Sequence, residues 1–460
     1  MDSVQTTYLP PPSYLTRMAD GTVKQLNPFT GSQVWTVPGR ANRPLGLPQV
    51  DPSPVAPEDL GRLCAFCEQR YLDTPPEKAR LVRTGEAGDA GGLVLTGVGA
   101  DEVYDTTAEL RRVPNLFEIL SYDYWHTNYG YEMPAAARER QAAYLATSAG
   151  REHVLAVLRS RWLASGRSES DWETTPLEDR MAESTSFFAG GHDVIVARRH
   201  LVDGATTDDQ LASAGTLTPD EHHAYLAFTV DALRELYEAN RYAPYVAVFQ
   251  NWLKPAGASF DHLHKQLVTI DERGVQTELE LSRLRANPNL YNEAAVNYAG
   301  YHNLVVAENE HAIAFAGFGH RYPTLEVFSK SEQSNPWDHS PAELRAMSDL
   351  VHACHAATGA RVPTNEEWHH RPRDVDLPMP WRIMLKWRVS TLAGFEGGTK
   401  IYLNTIDPWS LRDRVVPRLL ELRETGAIAT DLAIGSEATC APSSLRYNGR
   451  HDDVVTQTEP

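Results

Sequence analysis

Hydrophobic residues recur at helical spacing in two segments that begin in the same way. Thr218-Pro219-Asp220-Glu221 and Ser340-Pro341-Ala342-Glu343 both have the composition of a capping box with proline at the first helical position. Apolar residues then follow at intervals of three and four, as Leu226, Val230, Leu233 and Tyr237 after the first segment and Leu344, Met347, Val351 and Cys354 after the second. The pattern predicts two amphipathic helices that start at equivalent signals.

Short runs typical of β-strands flank both predicted helices. They are residues 194–196, 245–249 and 266–270 around the first helix, and 304–306, 325–328, 383–387 and 401–403 around the second. The same order of strands, capped helix and strands therefore occurs twice. We predict an α+β fold of two tandem units, residues 20–270 and 271–427, each with a mainly antiparallel sheet and a packed helix.

Two further segments depart from this repeated pattern. Residues 121–183 contain stretches rich in Ala, Leu, Arg and Glu, at 135–146 and 152–163, which predict a helical insertion in the first unit. Residues 428–460 lose periodicity and end in polar residues, so we predict a loose C-terminal tail.

Composition and charge exclude several classes of protein. The chain has 460 residues and a formal net charge of −18, without a run of Lys and Arg that would locally reverse the sign, so nucleic-acid binding is disfavoured. It has no stretch that approaches the roughly 18–20 apolar residues of a membrane span. The polar, proline-rich start resembles no signal peptide. We expect a cytoplasmic protein that contacts no membrane.

The four cysteines are too few for a disulfide framework. Cys64 and Cys67 form a C-x-x-C pair, which has three interpretations: half of a zinc site, a redox pair, or chance. The redox interpretation requires a thioredoxin-like βαβ context that is not evident here, so we favour zinc, which needs two more ligands. Cys354 occupies an apolar position of the second predicted helix and is expected to lie in the core.

A histidine-rich strand is the best candidate for chemistry. Along a strand, alternate side chains share a face, so His262, His264 and Gln266 are predicted to project together. The small-residue loop 255–259 precedes them, and its Ser259 has a hydroxyl able to donate to a phosphate oxygen. The alternative interpretation is a pair of exposed histidines on an edge strand.

Two arginines follow a strand-like run near the N-terminus. Arg40 and Arg43 come shortly after residues 34–37, and a guanidinium pair at this spacing can grip phosphates. Surface arginines at such spacing are also common, so this motif alone does not establish a phosphate site.

Together these clusters resemble the galactose-1-phosphate uridylyltransferase family, the branch of the histidine-triad superfamily that carries two such units in one chain. Six segments match the family's motifs in order: residues 27–44, 64–77, 113–117, 190–200, 249–266 and 393–404. The match is specific because six motifs occur in the family's order over residues 27–404, although the helical insertion at residues 121–183 is foreign to the family's pattern.

The resemblance implies a function and a role for each matched residue. It implies a structural zinc ion held by Cys64, Cys67, His200 and His262. It implies that His264 attacks the α-phosphorus of a nucleotide sugar, that Gln266 and Ser259 hold the phosphoryl oxygens, and that a sugar 1-phosphate then accepts the nucleotide, with UMP as the expected cargo. The other implied substrate contacts are Arg40, Arg43, Asn115, Asn251, Glu396 and Asn404. A homodimer is possible within this resemblance.

One departure from the family's pattern leaves the acceptor open. Many members read HWHIE before the last motif, where this chain has Pro380-Trp381-Arg382-Ile383-Met384, so a second metal site is not expected. Arg382 and Lys386 either suit a more anionic substrate or are simply solvated.

Two other functions compete with nucleotidyl transfer to a sugar phosphate. One is a phosphorylase or hydrolase of the same superfamily, in which phosphate or water resolves the intermediate. The other is a zinc-stapled nucleotide-binding protein without catalysis, which the retention of both His264 and Gln266 disfavours.

Overall fold

The computed structural model of the protein describes residues 13–39, 51–83, 92–390 and 392–449. The described residues form 16 strands and 12 α-helices. The strands, in chain order, are β1 (Leu15–Arg17), β2 (Val23–Leu26), β3 (Gln33–Thr36), β4 (Ala79–Arg83), β5 (Gly92–Thr96), β6 (Leu110–Pro114), β7 (His192–Ala197), β8 (Tyr245–Trp252), β9 (His264–Ile270), β10 (Val305–Glu308), β11 (Ala312–Ala316), β12 (Thr324–Ser329), β13 (Thr364–His369), β14 (Arg382–Trp387), β15 (Ile401–Asn404) and β16 (Ala433–Ile434).

Helices cover one face of the main sheet and form the insertion. They are α1 (Tyr122–Tyr129), α2 (Ala135–Ala146), α3 (Ser148–Ala164), α4 (Glu169–Thr174), α5 (Leu177–Ala182), α6 (Thr185–Ala189), α7 (Pro219–Ala239), α8 (Val275–Ala286), α9 (Asn297–Tyr301), α10 (Pro341–Thr358), α11 (Gly394–Thr399) and α12 (Pro408–Glu424). Among the described residues, no helix combines the length and apolar character that a membrane crossing requires.

The main sheet has twelve strands in the order β16-β10-β11-β12-β14-β13-β8-β9-β7-β6-β4-β5, and every neighbouring pair is antiparallel. Its two halves mirror each other in connectivity, since β7-α7-β8-β9 in one half corresponds to β12-α10-β13-β14 in the other. The predicted α+β fold of two repeated units is confirmed. The units meet where β8 pairs with β13, with Trp252 opposite Thr364 and Phe249 opposite Glu367.

Both predicted helices begin where the capping boxes indicate. The hydroxyl of Thr218 accepts a hydrogen bond from Glu221 N at 3.2 Å, and Ser340 accepts one from Glu343 N at 3.3 Å. Each glutamate carboxylate in turn accepts from the backbone N–H of its cap residue, at 2.9 and 2.8 Å. The helices bury their apolar faces in the core, and Cys354 is 2% exposed, as predicted.

A buried ionic cluster lies between these helices and the centre of the sheet. Lys265 of β9 lies 2.5 Å from Glu366 of β13, and both side chains are fully buried. Glu366 also accepts hydrogen bonds from His355 of α10 at 2.7 Å and from Trp368 Nε1 at 2.5 Å. Burial opposes ionisation of this carboxylate, but Lys265 and His355 outweigh it and lower the pKa of Glu366 overall. The cluster therefore joins the two units through charge as well as through the sheet.

The predicted insertion at residues 121–183 is helical, since α1 to α5 lie within it and α6 follows directly. It has its own apolar cluster, which includes Val154, Leu158, Trp172 and Phe187. His153 fixes it to the first unit, because its Nε2 lies 2.9 Å from the carbonyl oxygen of Thr74.

A second, four-stranded sheet has the order β1-β2-β3-β15, in which β15 runs parallel to β3. Its first three strands come from the N-terminal part of the chain and its last from the second unit. The N-terminal segment is therefore held by the second unit, although the sequence prediction assigned it to the first.

The prediction of a loose tail is wrong for residues 428–449. Strand β16 pairs with β10, and Leu445 and Tyr447 are buried at 0% and 3% exposure. Leu445 N also donates to the Asn292 side chain at 3.0 Å. Hydrophobic periodicity detects only helices and strands. It therefore does not detect a few irregularly spaced apolar residues that pack against another part of the protein. Residues 450–460 lie outside the described part of the chain.

Replacing Glu366 with alanine should strongly destabilise the protein. Removal of one partner leaves Lys265 charged and buried, a change that costs about 3–5 kcal/mol of unfolding free energy. Chemical denaturation measures this directly. The control is Glu421→Ala, which breaks the exposed 2.9 Å pair with Arg418 and should cost no more than about 1 kcal/mol. A Glu366→Ala protein as stable as this control would contradict a structural role for the cluster.

Candidate metal centre and nucleophilic histidine

Two cysteines and two histidines from distant parts of the chain converge at the start of β9. Cys64 and Cys67 lie in a turn that precedes a 3₁₀ segment at Glu68–Asp73, His200 follows β7, and His262 precedes β9. Their four ligand atoms all lie within 4.8 Å of one another. The structure thus brings together the four residues that the resemblance implies as metal ligands.

The distances match a tetrahedral zinc site. With Zn–S bonds of about 2.3 Å and Zn–N bonds of about 2.0 Å, a tetrahedron places two sulfur ligands about 3.8 Å apart and sulfur and nitrogen about 3.5 Å apart. Cys64 Sγ lies 3.8 Å from Cys67 Sγ and 3.4 Å from His262 Nδ1. Cys67 Sγ lies 3.5 Å from His200 Nδ1. Two sulfur and two nitrogen ligands without a carboxylate form a donor set typical of structural zinc.

The ring nitrogen of His262 that points away from the cluster is hydrogen-bonded to the main chain. Its Nε2 donates to the carbonyl oxygen of Ala197 at 2.6 Å, which leaves Nδ1 directed at the cluster. Ala197 N donates in turn to Leu263 O at 3.0 Å. Such an outer hydrogen bond fixes both the tautomer and the orientation of a metal-binding imidazole. These hydrogen bonds therefore hold the Cys/His cluster and the first residues of β9 in a fixed relative position.

His264 is the first residue of β9 and lies beside this cluster. Its Nδ1 lies 2.7 Å from the carbonyl oxygen of His262, which can only accept, so Nδ1 carries the proton and Nε2 keeps its lone pair. Nε2 has no hydrogen-bond partner in the described part of the chain. The residue is 4% exposed, and burial lowers the pKa of His264 to about 4. The geometry presents a neutral imidazole with a free nitrogen.

Gln266 lies two residues further along the same face of β9. Its Oε1 lies 3.0 Å from His192 Nε2 and 3.3 Å from Asn115 Nδ2. Ile119 N donates to His192 Nδ1 at 3.3 Å, and His192 Nε2 lies 3.0 Å from both Gln266 Oε1 and Asn115 Nδ2. The carbonyl oxygen of Gln266 is thus engaged, and its amide N–H₂ is left to donate to a ligand.

Ser259 lies in the loop that leads to β9, and Asn251 lies on β8, the strand that pairs with β9. Ser259 is exposed in the loop that leads to β9, and Gly257 in the same loop has a φ of +93°, a conformation that favours glycine. Asn251 Oδ1 accepts from Asn365 Nδ2 at 2.7 Å, and Asn365 also donates to Ala256 O at 2.8 Å. The second unit therefore supports the loop through Asn365.

Other predicted contacts are not brought to His264. Glu396 caps α11 by accepting from Ala393 N at 3.1 Å, and Asn404 donates to His320 O at 3.1 Å. Within the described residues neither contacts His264, Gln266 or Ser259, so a substrate role for them stays a prediction. Arg40 and Arg43 lie outside the described residues.

The structure contradicts the solvated interpretation for Arg382, whereas a role for Arg382 and Lys386 toward an anionic substrate stays a prediction. Arg382 is 2% exposed and forms two hydrogen bonds with Glu280 at 2.6 and 2.8 Å, so it is not solvated. Lys386 pairs with Glu367 at 2.5 Å. Both charges are neutralised within the protein.

Sequence reasoning assigned no role to His192 and Asn365. His192 stands within a matched motif, at residues 190–200, which was the available signal. Asn365 is in the second unit and gives no signal by spacing, because its contact with Asn251 arises from the pairing of β8 with β13.

Comparisons with known proteins agree with this architecture. Residues 18–447 match the model of a family described as a domain of unknown function (DUF4921). A 175-residue segment is 26% identical to ADP-glucose phosphorylase from Arabidopsis thaliana, and it covers 36% of this chain and 49% of that relative, about half of its length.

Solved structures extend the similarity over most of the chain. The crystal structure of an ADP-glucose phosphorylase from Arabidopsis thaliana with bound ADP-glucose has a TM-score of 0.55 at 18% identity, covering 86% of this chain and 98% of that one. A galT-like protein from Arabidopsis thaliana has a TM-score of 0.53 at 17% identity, covering 85% and 98%. The resemblance expected from the sequence motifs is confirmed, and at these identities the solved structures establish the fold.

Replacing Cys67 with serine should remove the metal. A serine hydroxyl does not replace thiolate as a zinc ligand at neutral pH, and loss of the metal removes folding free energy. Elemental mass spectrometry should find about one zinc ion per wild-type chain and little in the variant, with a Tm lower by more than about 5 °C. Cys440→Ser, outside the cluster, is the matched control and should retain the metal. A zinc-free wild-type protein, purified without chelators, would refute the assignment.

Proposed function

The chain belongs to the DUF4921 family, and we propose that this member is an enzyme that transfers a nucleoside monophosphate from a nucleotide sugar to an acceptor through His264. The observation that carries the proposal is the geometry of His264: its Nδ1 is fixed on the carbonyl oxygen of His262 at 2.7 Å, and its Nε2 is free.

The chemistry follows from this one free nitrogen. Nε2 of His264 attacks the α-phosphorus of the nucleotide sugar, the bond from this phosphorus to the bridging oxygen breaks, and the sugar 1-phosphate leaves with the electron pair. The nucleotide is then attached to His264 through an N–P bond. An oxygen of the acceptor phosphate attacks the same phosphorus, and His264 leaves as the neutral imidazole. Reaction in two halves predicts ping-pong kinetics.

Two features of the site stabilise this path. As the N–P bond forms, the imidazole gains positive charge, and the hydrogen bond from Nδ1 to His262 O becomes charge-assisted. The amide of Gln266, held by His192, is the donor placed for a non-bridging oxygen, where negative charge has to be stabilised. Ser259 is the candidate for a second such donor.

The Cys64, Cys67, His200 and His262 side chains would hold a structural zinc ion. When bound, the ion supplies rigidity and no reacting group, because four protein ligands leave no open coordination position. The ion would affect catalysis indirectly, because it would fix His262, whose backbone carbonyl positions His264.

The acceptor has two candidates. The sequence motifs resemble a family that uses a sugar 1-phosphate. The similarity to a protein named ADP-glucose phosphorylase, with a structure that contains ADP-glucose, favours inorganic phosphate and an adenine nucleotide. Both reactions share the same first half and differ only in what resolves the nucleotidyl-histidine.

Incubation with a nucleotide sugar should add one nucleoside monophosphate to the chain. Intact mass spectrometry with UDP-glucose, UDP-galactose and ADP-glucose should show an increment whose size identifies the base. His264→Asn keeps a hydrogen bond to His262 O but has no nucleophilic nitrogen, so it should show no increment and lose at least about 10³-fold in turnover. His311→Asn, a partly exposed histidine outside the site, is the control and should behave as wild type.

The acceptor is determined from the labelled protein. Release of nucleoside diphosphate on addition of phosphate indicates a phosphorylase, whereas release of a new nucleotide sugar on addition of a sugar 1-phosphate indicates a transferase. A protein that binds nucleotide sugars and never gains mass would contradict the proposal and favour the non-catalytic alternative.

A further inference from the structure

A polar cavity of about 320 Å³ lies between the second unit and the N-terminal segment. Lys265 and Glu366 point to the helix-covered face of the sheet, so their chain neighbours His264, Gln266, Asn365 and Glu367 point to the opposite face. Asn365 and Glu367 line the cavity, which therefore opens on the same face as His264. His264, Gln266 and Ser259 are not among its lining residues.

The cavity carries an excess of positive charge in an acidic protein. Four cationic side chains line it, Arg321, Arg382, Lys386 and Arg388, against two carboxylates, Glu280 and Glu367. The carboxylates are already used, since Glu280 pairs with Arg382 at 2.6 Å and Glu367 with Lys386 at 2.5 Å. Arg321 and Arg388 have no carboxylate partner among the described residues.

Both of these arginines are held by the same aromatic ring. The Arg388 guanidinium lies 4.7 Å from the centre of the Tyr322 ring, and that of Arg321 lies 5.2 Å from it and 5.6 Å from the Tyr402 ring. Arg388 Nη1 also donates to Asn365 Oδ1 at 2.6 Å. Two positive charges around one ring repel each other unless an anion lies near both. Stacking keeps the planar guanidiniums in place while their edges remain available as donors.

We propose that this cavity, the Arg321–Arg388 cavity, is a second binding site that takes a sugar phosphate. The guanidiniums of Arg321 and Arg388 each offer a donor fork that matches phosphate oxygens, and a phosphate monoester carries enough charge to balance both. The rest of the lining suits hydroxyl groups, because it is rich in short polar side chains and includes Thr30, Ser32 and Gln276. The proposal is independent of the chemistry assigned to His264, since the two sites share no catalytic residue.

Arginine footprinting of the full-length protein tests the site residue by residue. Phenylglyoxal modifies accessible guanidiniums, and peptide mapping by mass spectrometry gives a rate for each. Arg321 is exposed, and saturating glucose 1-phosphate should slow its modification about tenfold, the effect of one charge-assisted contact. Arg414, exposed on α12, is the internal control and should react at an unchanged rate.

Variants give a second readout. Arg321→Gln should weaken calorimetric binding of glucose 1-phosphate at this site about tenfold, whereas Arg414→Gln should leave it as in wild type. The proposal would be overturned if glucose 1-phosphate left the modification rate of Arg321 unchanged, or if potassium chloride at the same ionic strength slowed that rate equally. It would also be overturned if Arg321→Gln bound glucose 1-phosphate as tightly as wild type. Slowing by inorganic phosphate without slowing by glucose 1-phosphate would overturn the sugar assignment.

Discussion

The alternation of side chains along residues 262–266 is the constraint on which the site depends. His262 joins the Cys/His cluster, His264 turns its free nitrogen to the open face, and Lys265 points into the core to meet Glu366. A shift by one residue would exchange these environments, placing an imidazole in the ionic core and an ammonium group in the present position of His264. The cluster on one side and the buried ion pair on the other fix the register of β9.

The two faces of the main sheet differ: one is covered by helices and packs in the core, and the other carries polar side chains. Helices α7 and α10 close one face, where apolar packing and the Lys265–Glu366 pair hold the repeated units together. The other face presents polar side chains from both units, with His264, the proposed nucleophile, on one side of the β8–β13 junction and an arginine-lined cavity on the other. An antiparallel sheet covered on one face leaves the second available for ligands. Duplication of the unit thus provides two polar surfaces, which the chain has filled with different residues.

Prediction succeeded where the signal is local. The caps at Thr218 and Ser340, the strand-like run at residues 266–270 and the helical insertion follow from short-range patterns, and the structure confirms them, although His262, predicted to share the strand, lies just before it. It failed for residues 428–449, where Leu445 and Tyr447 dock without periodicity. It also assigned no role to His192 and Asn365, whose partners lie 74 and 114 residues away along the chain.

The sequence by itself determined which elements form, which residues carry metal-binding and nucleophilic groups, and which family the motifs resemble. Hydrophobic period, capping and ligand type are properties of neighbours along the chain, so they can be read from it. Tertiary structure alone decided that the units share one continuous sheet, that Arg382 is neutralised by Glu280, and that Arg321 and Arg388 have no carboxylate partner in the described ranges. Pairing between distant charges depends on how strands are ordered in space, and no local pattern encodes that order.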